Sequence, residues 1–438
     1  MRILHYYPGP HRQGGMNRYA TDLALEQIRM KHEVYCLYPV GSLFPRKKTL
    51  ISKGTSFRGM NAFKLNGGIP VPLLEGIHDP RMILQCHNHL TKDDIEKFCD
   101  SVRADILHIH TWMGFPVELL DEMKKRNVKI IYTAHDYFGL CPKVNFVNSS
   151  GVLCQSPCNI NCSECNASAP SEYFLRLRNS SFLMKIKKII IPLIGLKKKF
   201  HKSSSASQRV VNEEKDYDEL FAYYRNLFLR CDKIHFNSNI TKSIFQRFIP
   251  EIQGKILPIT HGGIADHRKN RCPVSEKIRF AMFGGNAPYK GLAILLECLN
   301  SLYEEGFQNW QLDIWGTAIR KNERNINWKG LFHSEDECSI LEKVDLLIVP
   351  SLWYETFGFI VPEALASGVP VLCSDTVGAQ ILLDENMIYH SPENLKEKLK
   401  GFLINPQVLE KENQKICNNS NILTIGEHAL AMEQFYLE

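Results

Sequence analysis

Short apolar strands alternate with helical segments along most of this 438-residue chain, and this alternation constrains the fold more than any other feature. The predicted strands are residues 2–7, 33–38, 106–110, 128–133, 233–236, 255–259, 278–283, 311–315, 345–349 and 369–373. Helices are predicted at residues 17–29, 292–302 and 427–436, the first of them burying Tyr19, Leu23 and Ile28. Strands that alternate with helices form parallel sheets covered on both faces. The sequence therefore predicts an α/β protein.

The alternating pattern occurs twice, and residues 262–275 between the two halves are polar and lack apolar periodicity. A chain of this length can bury two separate cores. We therefore expect a first domain at residues 1–262 and a second at residues 263–422. Ligands of such sheets bind beyond the carboxyl ends of the strands, so the prediction is two Rossmann-like domains that face a cleft.

Composition and charge narrow the class of protein. The chain has an ordinary 44% of apolar residues, and its formal net charge of +6 does not by itself indicate a nucleic-acid partner. A strand predicted at the first residues leaves no room for a signal peptide. No run of 18 apolar residues indicates a transmembrane helix. Together with the 14 cysteines, these features predict a cytoplasmic protein with reduced thiols or bound metal.

Residues 344–370 are the most informative segment for function. A buried strand is followed by a polar loop and a new helix, and Phe357-Gly358-Phe359 turns the chain at the helix start. Unpaired N–H groups and the helix dipole make such a start favourable for an anion. Glu355 and Glu363 flank this position, and carboxylates accept hydrogen bonds from sugar hydroxyls. A diphosphate joined to two sugars fits this layout, although an amphipathic helix with solvated glutamates is the competing interpretation.

A family resemblance decides between these interpretations. The two glutamates lie in the pattern Pro-Ser-x-Trp-x-Glu-x-Phe-Gly-x-x-x-x-Glu-Ala at residues 350–364, followed by Gly-Val-Pro-Val at residues 368–371. This pattern resembles the signature of the family 4 retaining glycosyltransferases, which have the GT-B fold and use nucleotide-diphosphate sugars. The resemblance implies two Rossmann-like domains with parallel sheets facing an interdomain cleft. It also implies that the last helix, within residues 423–438, returns to the first domain.

The resemblance assigns residues to the donor diphosphate. Gly14 and Gly15, between the first strand and the first helix, let the backbone approach a phosphate or sugar closely. Lys290 matches the phosphate-binding lysine of the family. Family members usually carry an arginine shortly before that lysine, where this chain has Gly284 and Gly285. We expect backbone N–H groups or Arg320 to replace it, and we include Gly285 among the donor-binding residues.

The resemblance also assigns contacts to the two sugars. His135 follows a first-domain strand and would contact the transferred sugar, with His110 a weaker candidate and a core histidine the alternative. Glu355 would bind sugar hydroxyls near C3 and C4, and Glu363 would bind the ribose hydroxyls. Retention of configuration and catalysis without a metal cofactor are implied. The remaining predicted donor-binding residues are Thr356, Phe357, Gly358 and Phe359.

A cysteine-rich loop at residues 141–165 predicts a structural metal site. Cys154, Cys158, Cys162 and Cys165 are close enough in sequence for tetrahedral zinc, and Cys141 is an alternative ligand. The spacing is not that of paired zinc knuckles, so reduced loop thiols are the competing interpretation. The sequence predicts structural zinc at this loop and no cofactor for catalysis.

Residues 176–202 combine short apolar stretches with many lysines and arginines. Such a segment suits an anionic membrane surface, although a core helix with solvated lysines is the alternative and Pro192 interrupts a long helix. We expect a peripheral protein on the inner face of the plasma membrane, close to a lipid-linked acceptor.

The predicted function is transfer of a sugar from a nucleotide-diphosphate donor to a glycan acceptor in cell-surface polysaccharide synthesis. Two other classes stay open. A nucleotide-sugar epimerase with the same fold would release product without an acceptor. A nonenzymatic binding partner would keep the fold and use the cysteine-rich loop for binding.

Overall fold

The structure is a computed structural model, and it describes residues 1–41, 49–67, 75–84, 90–156, 161–178, 213–269, 277–333, 335–419 and 422–438. The strands are β1 Arg2–Tyr6, β2 Glu33–Val40, β3 Leu50–Lys53, β4 Asn61–Asn66, β5 Ile106–Ile109, β6 Lys129–Ala134, β7 Lys233–Phe236, β8 Lys255–Ile256, β9 Ile278–Phe283, β10 Trp310–Trp315, β11 Arg320–Glu323, β12 Ile326–Gly330, β13 Leu346–Val349, β14 Val371–Ser374 and β15 Ile388–Tyr389.

Helices connect these strands. They are α1 Gly15–Arg29, α2 Arg81–Leu84, α3 Lys92–Val102, α4 Val117–Lys125, α5 Asn161–Asn166, α6 Glu172–Arg178, α7 Glu213–Leu229, α8 Asn239–Phe248, α9 Leu292–Glu304, α10 Glu337–Leu341, α11 Ile360–Ala366, α12 Pro392–Ile404, α13 Gln407–Asn419 and α14 Ile425–Leu437, with 3-10 turns at Pro288–Lys290, Gly378–Leu382 and Glu385–Met387. Within the described ranges, no helix is both long enough and apolar enough to cross a membrane.

The strands form two mostly parallel sheets, which confirms the predicted α/β class and the two Rossmann-like domains. The strand order is β3-β4-β2-β1-β5-β6-β7-β8 in one sheet and β11-β12-β10-β9-β13-β14-β15 in the other. At one edge of each sheet a strand that the sequence analysis did not identify pairs antiparallel, β3 with β4 and β11 with β12. All four β11 residues are exposed, so this strand lacks the apolar pattern of a buried strand.

The described residues divide into two compact units. The first comprises Met1–Ser149, Cys154–Ile234 and Phe248–Gln253, and the second comprises Ser150–Leu153, His235–Arg247 and Gly254–Glu438. The domain bounds at residues 262 and 422 stay predictions.

Each unit buries the apolar face that its sequence pattern indicates. In α1, Tyr19 and Leu23 are fully buried as predicted, whereas Ile28, the penultimate residue of the helix, is half-buried. The second unit packs α9 and α12 on the sheet around Phe280, Leu299 and Ile348. Each buried Leu or Phe side chain contributes roughly 1.5–3 kcal/mol to stability.

Two buried histidines lie where α14 packs near β7. The ring centroids of His428 and His235 are 5.9 Å apart, and His235 Nε2 donates a hydrogen bond to the Leu257 carbonyl. Burial lowers the pKa of His235 to about 4 and that of His428 to about 3. Both rings are therefore neutral at pH 7 in the folded protein.

We expect the free energy of unfolding to fall as the pH drops from about 6.5 to about 4. In this window the unfolded chain binds protons that the buried rings exclude, so each histidine costs up to about 3 kcal/mol of stability at the acid end. A His428→Leu variant should show a smaller change in stability between the two pH values than the unsubstituted protein. Urea unfolding at several pH values measures this, with the exposed His333→Gln as control. An unchanged pH dependence in His428→Leu would contradict the assignment.

Candidate active site

Glu355 is held in place by its backbone. Its N–H donates to the Thr376 carbonyl at 2.9 Å, and its carbonyl accepts from Gly378 N–H at 2.8 Å. These two bonds join the loop after β13 to the loop after β14, and Glu355 forms an isolated parallel bridge with Val377. The backbone of Glu355 is therefore fixed between the two loops, which gives its side chain a defined starting point.

Both oxygens of the Glu355 carboxylate accept hydrogen bonds. Lys290 Nζ donates to Oε1 at 2.9 Å, and Ser351 Oγ donates to Oε2 at 2.6 Å. The Lys290 ammonium also lies 5.6 Å from the centroid of the Trp353 ring, a distance typical of a cation–π contact. The Glu355 and Lys290 side chains are mostly buried, so solvent screens this pair less than an exposed one. Ser351 was part of the family pattern, but the sequence did not predict its bond to Glu355.

Lys290 owes its position to the glycine that follows it. Gly291 has φ +75°, and a Cβ built on it would lie 1.6 Å from the Pro350 carbonyl oxygen. The loop after β9 therefore approaches the end of β13 more closely than any side chain permits. As a result, the ammonium of Lys290 and the carboxylate of Glu355 meet although 65 residues separate them in sequence.

The glycines that replace the family arginine have structural roles in this chain. Gly285 N–H donates to the Trp315 carbonyl at 2.9 Å, so this amide is committed within the protein. A Cβ on Gly284 would lie 3.3 Å from Lys290 Cγ, so Gly284 makes room for the lysine stem. Arg320 lies on β11 beside Gly330, and its Nε lies 2.6 Å from the position that a Cβ on Gly330 would occupy. The replacement of the missing arginine by Arg320 stays a prediction.

The carbonyl of Thr356 is held by two hydroxyl groups that sequence reasoning missed. Ser238 Oγ and Thr241 Oγ1 donate to it at 2.7 and 3.0 Å, and all three residues are buried. A Cβ on Gly378 would come within 2.1 Å of the same carbonyl oxygen. The start of α8 thereby supports the loop that carries Glu355. The signal was a serine at a strand end with a threonine three positions later, a pattern typical of a helix N-terminus.

Residues 357–359 turn the chain before α11 as the sequence predicts, whereas an anion site at this helix start stays a prediction. Phe357 is buried, Gly358 has φ +95°, and Phe359 precedes the first residue of α11. A Cβ on Gly358 would lie 3.5 Å from Glu355 Cδ, so the glycine gives the carboxylate space. The amides of Val361 and Glu363 donate to Gly358 and Phe359 carbonyls and are therefore used within the turn.

Glu363 pairs with a histidine that the sequence analysis did not select. His261 Nε2 lies 2.7 Å from Glu363 Oε1, and Gly263 N–H donates to His261 Nδ1 at 3.1 Å. Because Nδ1 accepts, the ring proton of neutral His261 is on Nε2, and it donates to Glu363. The buried ring also packs edge-on against Phe359. His261 thus orients the carboxylate, and its only sequence signal was a position shortly after β8 and before a glycine pair.

The predicted residues of the first unit lie at the carboxyl ends of its strands. Gly14 has φ +114° and is the N-cap of α1, which begins at Gly15. His135 directly follows β6 and is half-buried. Its Nε2 lies 3.1 Å from His110 Nδ1, and its ring packs 4.8 Å from that of Tyr19. The structure thus joins the two candidate histidines by a hydrogen bond.

The cysteine-rich loop is described only in part, because Cys158 lies outside the described residues. Cys141, Cys154 and Cys165 are free thiols, and burial raises the pKa of Cys141 to about 12 and raises those of the other two. These thiols are protonated at pH 7 unless a metal displaces the proton. Zinc at Cys154, Cys158, Cys162 and Cys165 stays a prediction. The basic and apolar segment also falls largely outside the described part, since residues 179–202 are not described.

Comparison with known families matches both halves of the chain. Residues 13–150 match the family model described as Glycosyltransferase Family 4, and residues 277–405 match the model described as Glycosyl transferases group 1. The first match contains Gly14, Gly15 and His135, and the second contains Lys290, Glu355 and Glu363. Both sets of predicted site residues therefore lie within matched segments.

Individual relatives agree with these families. The phosphatidyl-myo-inositol mannosyltransferase of Mycobacterium leprae is 27% identical over 111 residues, which span 24% of this chain and 29% of that protein. The structure of WaaG, a glycosyltransferase involved in lipopolysaccharide biosynthesis, superposes with a TM-score of 0.53 at 17% identity, covering 98% and 99% of the two chains. The structure of HepE from Anabaena superposes with a TM-score of 0.54 at 13% identity, covering 99% of each.

At these identities the solved structures establish the fold alone, and the two family models together match more than half of the chain. The chain therefore belongs to the family 4 (group 1) glycosyltransferases and has the GT-B fold.

Proposed function

We propose that the enzyme transfers a sugar from a nucleotide-diphosphate donor to a saccharide acceptor with retention of anomeric configuration. The observation that carries this proposal is the Lys290–Glu355–Ser351 arrangement, in which a cation and a carboxylate lie 2.9 Å apart beside a glycine turn. A nucleotide sugar carries an anionic diphosphate on its anomeric carbon and neutral hydroxyl groups on the other carbons of the same ring. Lys290 suits the first and Glu355 suits the second.

Binding of the donor would replace the contact between Lys290 and Glu355. The ammonium would turn to the β-phosphate, and the carboxylate would accept hydrogen bonds from sugar hydroxyls near C3 and C4. Glu363, oriented by His261, would accept from the ribose hydroxyls. Similarity supports a nucleotide donor, because the HepE structure was solved in complex with UDP and glucose.

The chemical step breaks the bond between the anomeric carbon and the donor phosphate oxygen. Negative charge develops on the departing β-phosphate, and Lys290 stabilises it more strongly in the transition state than in the ground state. We propose that the acceptor hydroxyl attacks from the same face and that the departing phosphate takes its proton. Gly14, Gly15 and His135 of the first unit are proposed to contact the diphosphate and the transferred sugar. No metal ion has a role in this proposal.

The acceptor is proposed to be a lipid-linked saccharide used for a cell-surface polysaccharide. Two relatives support this class, since their names refer to phosphatidyl-myo-inositol and to lipopolysaccharide biosynthesis. The basic and apolar sequence at residues 176–202 suits a peripheral location on the cytoplasmic face of the membrane.

A thermal-shift screen with UDP-, GDP- and ADP-sugars tests the donor. A ligand at about 100 times its Kd adds about 2.7 kcal/mol to the free energy of unfolding and raises the melting temperature. The stabilising donor is then incubated with and without acceptor, and the anomeric configuration of the product is read by NMR. Product formation without acceptor would support an epimerase, and inverted configuration would reject the proposed same-face step.

A further inference from the structure

Four side chains of the first unit form a continuous hydrogen-bonded row that ends at His135. Gln27 Oε1 lies 2.8 Å from His5 Nε2, His5 Nδ1 lies 3.0 Å from His110 Nε2, and His110 Nδ1 lies 3.1 Å from His135 Nε2. Gln27, His5 and His110 are fully buried, whereas His135 is half-buried. The row therefore runs from the core to a partly exposed imidazole, and we name it the histidine row.

The buried end of the histidine row sets the direction of its hydrogen bonds. The amide oxygen of Gln27 only accepts, so the proton of His5 is on Nε2. Burial lowers the pKa of His5 to about 4, which keeps the ring neutral at pH 7. A neutral ring with a proton on Nε2 has an acceptor at Nδ1. His110 Nε2–H must therefore donate to His5.

The same reasoning carries the direction to the other end. Both ring nitrogens of His110 lie within hydrogen-bond distance of imidazoles, and the ring is fully buried, which disfavours the charged imidazolium. Neutral His110 therefore accepts at Nδ1, and His135 donates from Nε2. In neutral His135 the remaining nitrogen, Nδ1, is then the acceptor.

We propose that Gln27, His5 and His110 are positioning residues that hold His135 as the Nε2–H tautomer, so that its Nδ1 accepts a hydrogen bond from a hydroxyl of the bound sugar. The nature of this ligand rests on the proposed function, whereas the tautomer does not. An acceptor nitrogen favours a sugar with a hydroxyl at the contacted position. It disfavours a carboxylate or carbonyl there, because two acceptors would then face each other.

A metal ion bound by the same histidines would require a different protonation of their ring nitrogens. One ligand nitrogen each from His5, His108 and His110 lies within 4.8 Å of the other two, a spacing that a metal ion could bridge. An ion bound through His5 Nδ1 and His110 Nε2 would take the lone pair that the histidine row uses. His108 Nε2 lies 2.6 Å from Thr133 Oγ1, and the row does not require this ring.

Nuclear magnetic resonance of the full chain with ¹⁵N-labelled histidine tests the inference without any donor. Long-range ¹H–¹⁵N correlations distinguish the two neutral tautomers, and His135→Gln identifies the signals of that ring. We expect the Nε2–H form for His5, His110 and His135 at pH 7. An Nδ1–H form of His135 would overturn the inference. So would one bound metal ion per protein molecule that the His5→Gln variant no longer binds.

Substitution at the buried end provides the functional readout. Gln27→Leu removes the acceptor of His5 at similar size, so His135 should show both tautomers and kcat/KM should fall about 10-fold. Thr21 is also buried on α1, but its hydroxyl donates to Tyr7. Thr21→Val should therefore change neither the His135 tautomer nor kcat/KM. Unchanged His135 signals in Gln27→Leu would overturn the inference. If no nucleotide sugar is turned over while the tautomers are as expected, the proposed function fails and the assigned row stands.

Discussion

Glu355→Gln is expected to lower kcat by about 10²–10³-fold in a protein that still folds. Glutamine fills the same space and still accepts one hydrogen bond, but it loses the charge that faces Lys290 and one acceptor for sugar hydroxyls. The loss therefore falls on contacts that strengthen in the transition state. Steady-state transfer assays with the donor found by thermal shift measure the effect.

Controls make this result specific to the site. Glu335→Gln removes an exposed carboxylate from the same unit and should leave kcat unchanged. Lys290→Met should lower kcat to a similar degree, and the double variant should lose less than the sum of the two free-energy changes because the residues share one contact. Full activity in Glu355→Gln, or strict additivity in the double variant, would contradict the assigned roles.

Gly291→Ala is expected to destabilise the protein by about 4 kcal/mol or more, which is enough to prevent normal accumulation of folded protein. The added Cβ would lie 1.6 Å from the Pro350 carbonyl oxygen, so the backbone must move. A positive φ of 75° adds about 1–2 kcal/mol of strain for any residue other than glycine. Chemical unfolding or a solubility assay measures the loss.

Two other glycines of the second unit separate the effect of the Pro350 contact from that of the positive φ. Gly306 has φ +96° with nothing within 4 Å of a built Cβ, so Gly306→Ala should cost only the conformational term. Gly401 lies inside α12 with open space and no positive φ, so Gly401→Ala should stabilise the protein by up to about 1 kcal/mol. Equal effects of Gly291→Ala and Gly306→Ala would show that the contact with Pro350 is unimportant.

The architecture was predictable because parallel strands are continuous apolar runs. The strands β9 and β13 were found in this way, since their residues are almost all buried and apolar. The edge strands β3 and β11 were missed because they are short and almost wholly exposed, so neither shows the continuous apolar run of a buried strand. Hydrogen bonding along the edge of the sheet holds these strands, and sequence patterns do not record it.

The sequence predicted individual residues of the candidate site but not the contacts between them. Lys290 and Glu355 were each selected from the family pattern, but their contact depends on β9 and β13 being neighbours in the sheet. The bond between His261 and Glu363 joins positions 102 residues apart, and no local rule links them. Supporting residues such as Ser238 belong to helix starts, which occur throughout α/β proteins. Tertiary packing decides which of them reach a functional loop.

The ion pair at the centre of the site has a consequence for selectivity. Because Glu355 already neutralises Lys290, the resting enzyme offers little net attraction to a simple anion. Cellular phosphate should therefore compete poorly, and a competition assay with millimolar inorganic phosphate measures this. A ligand must present both an anionic group and a hydroxyl-bearing ring to separate Lys290 from Glu355. A ligand with only one of these groups is expected to bind weakly.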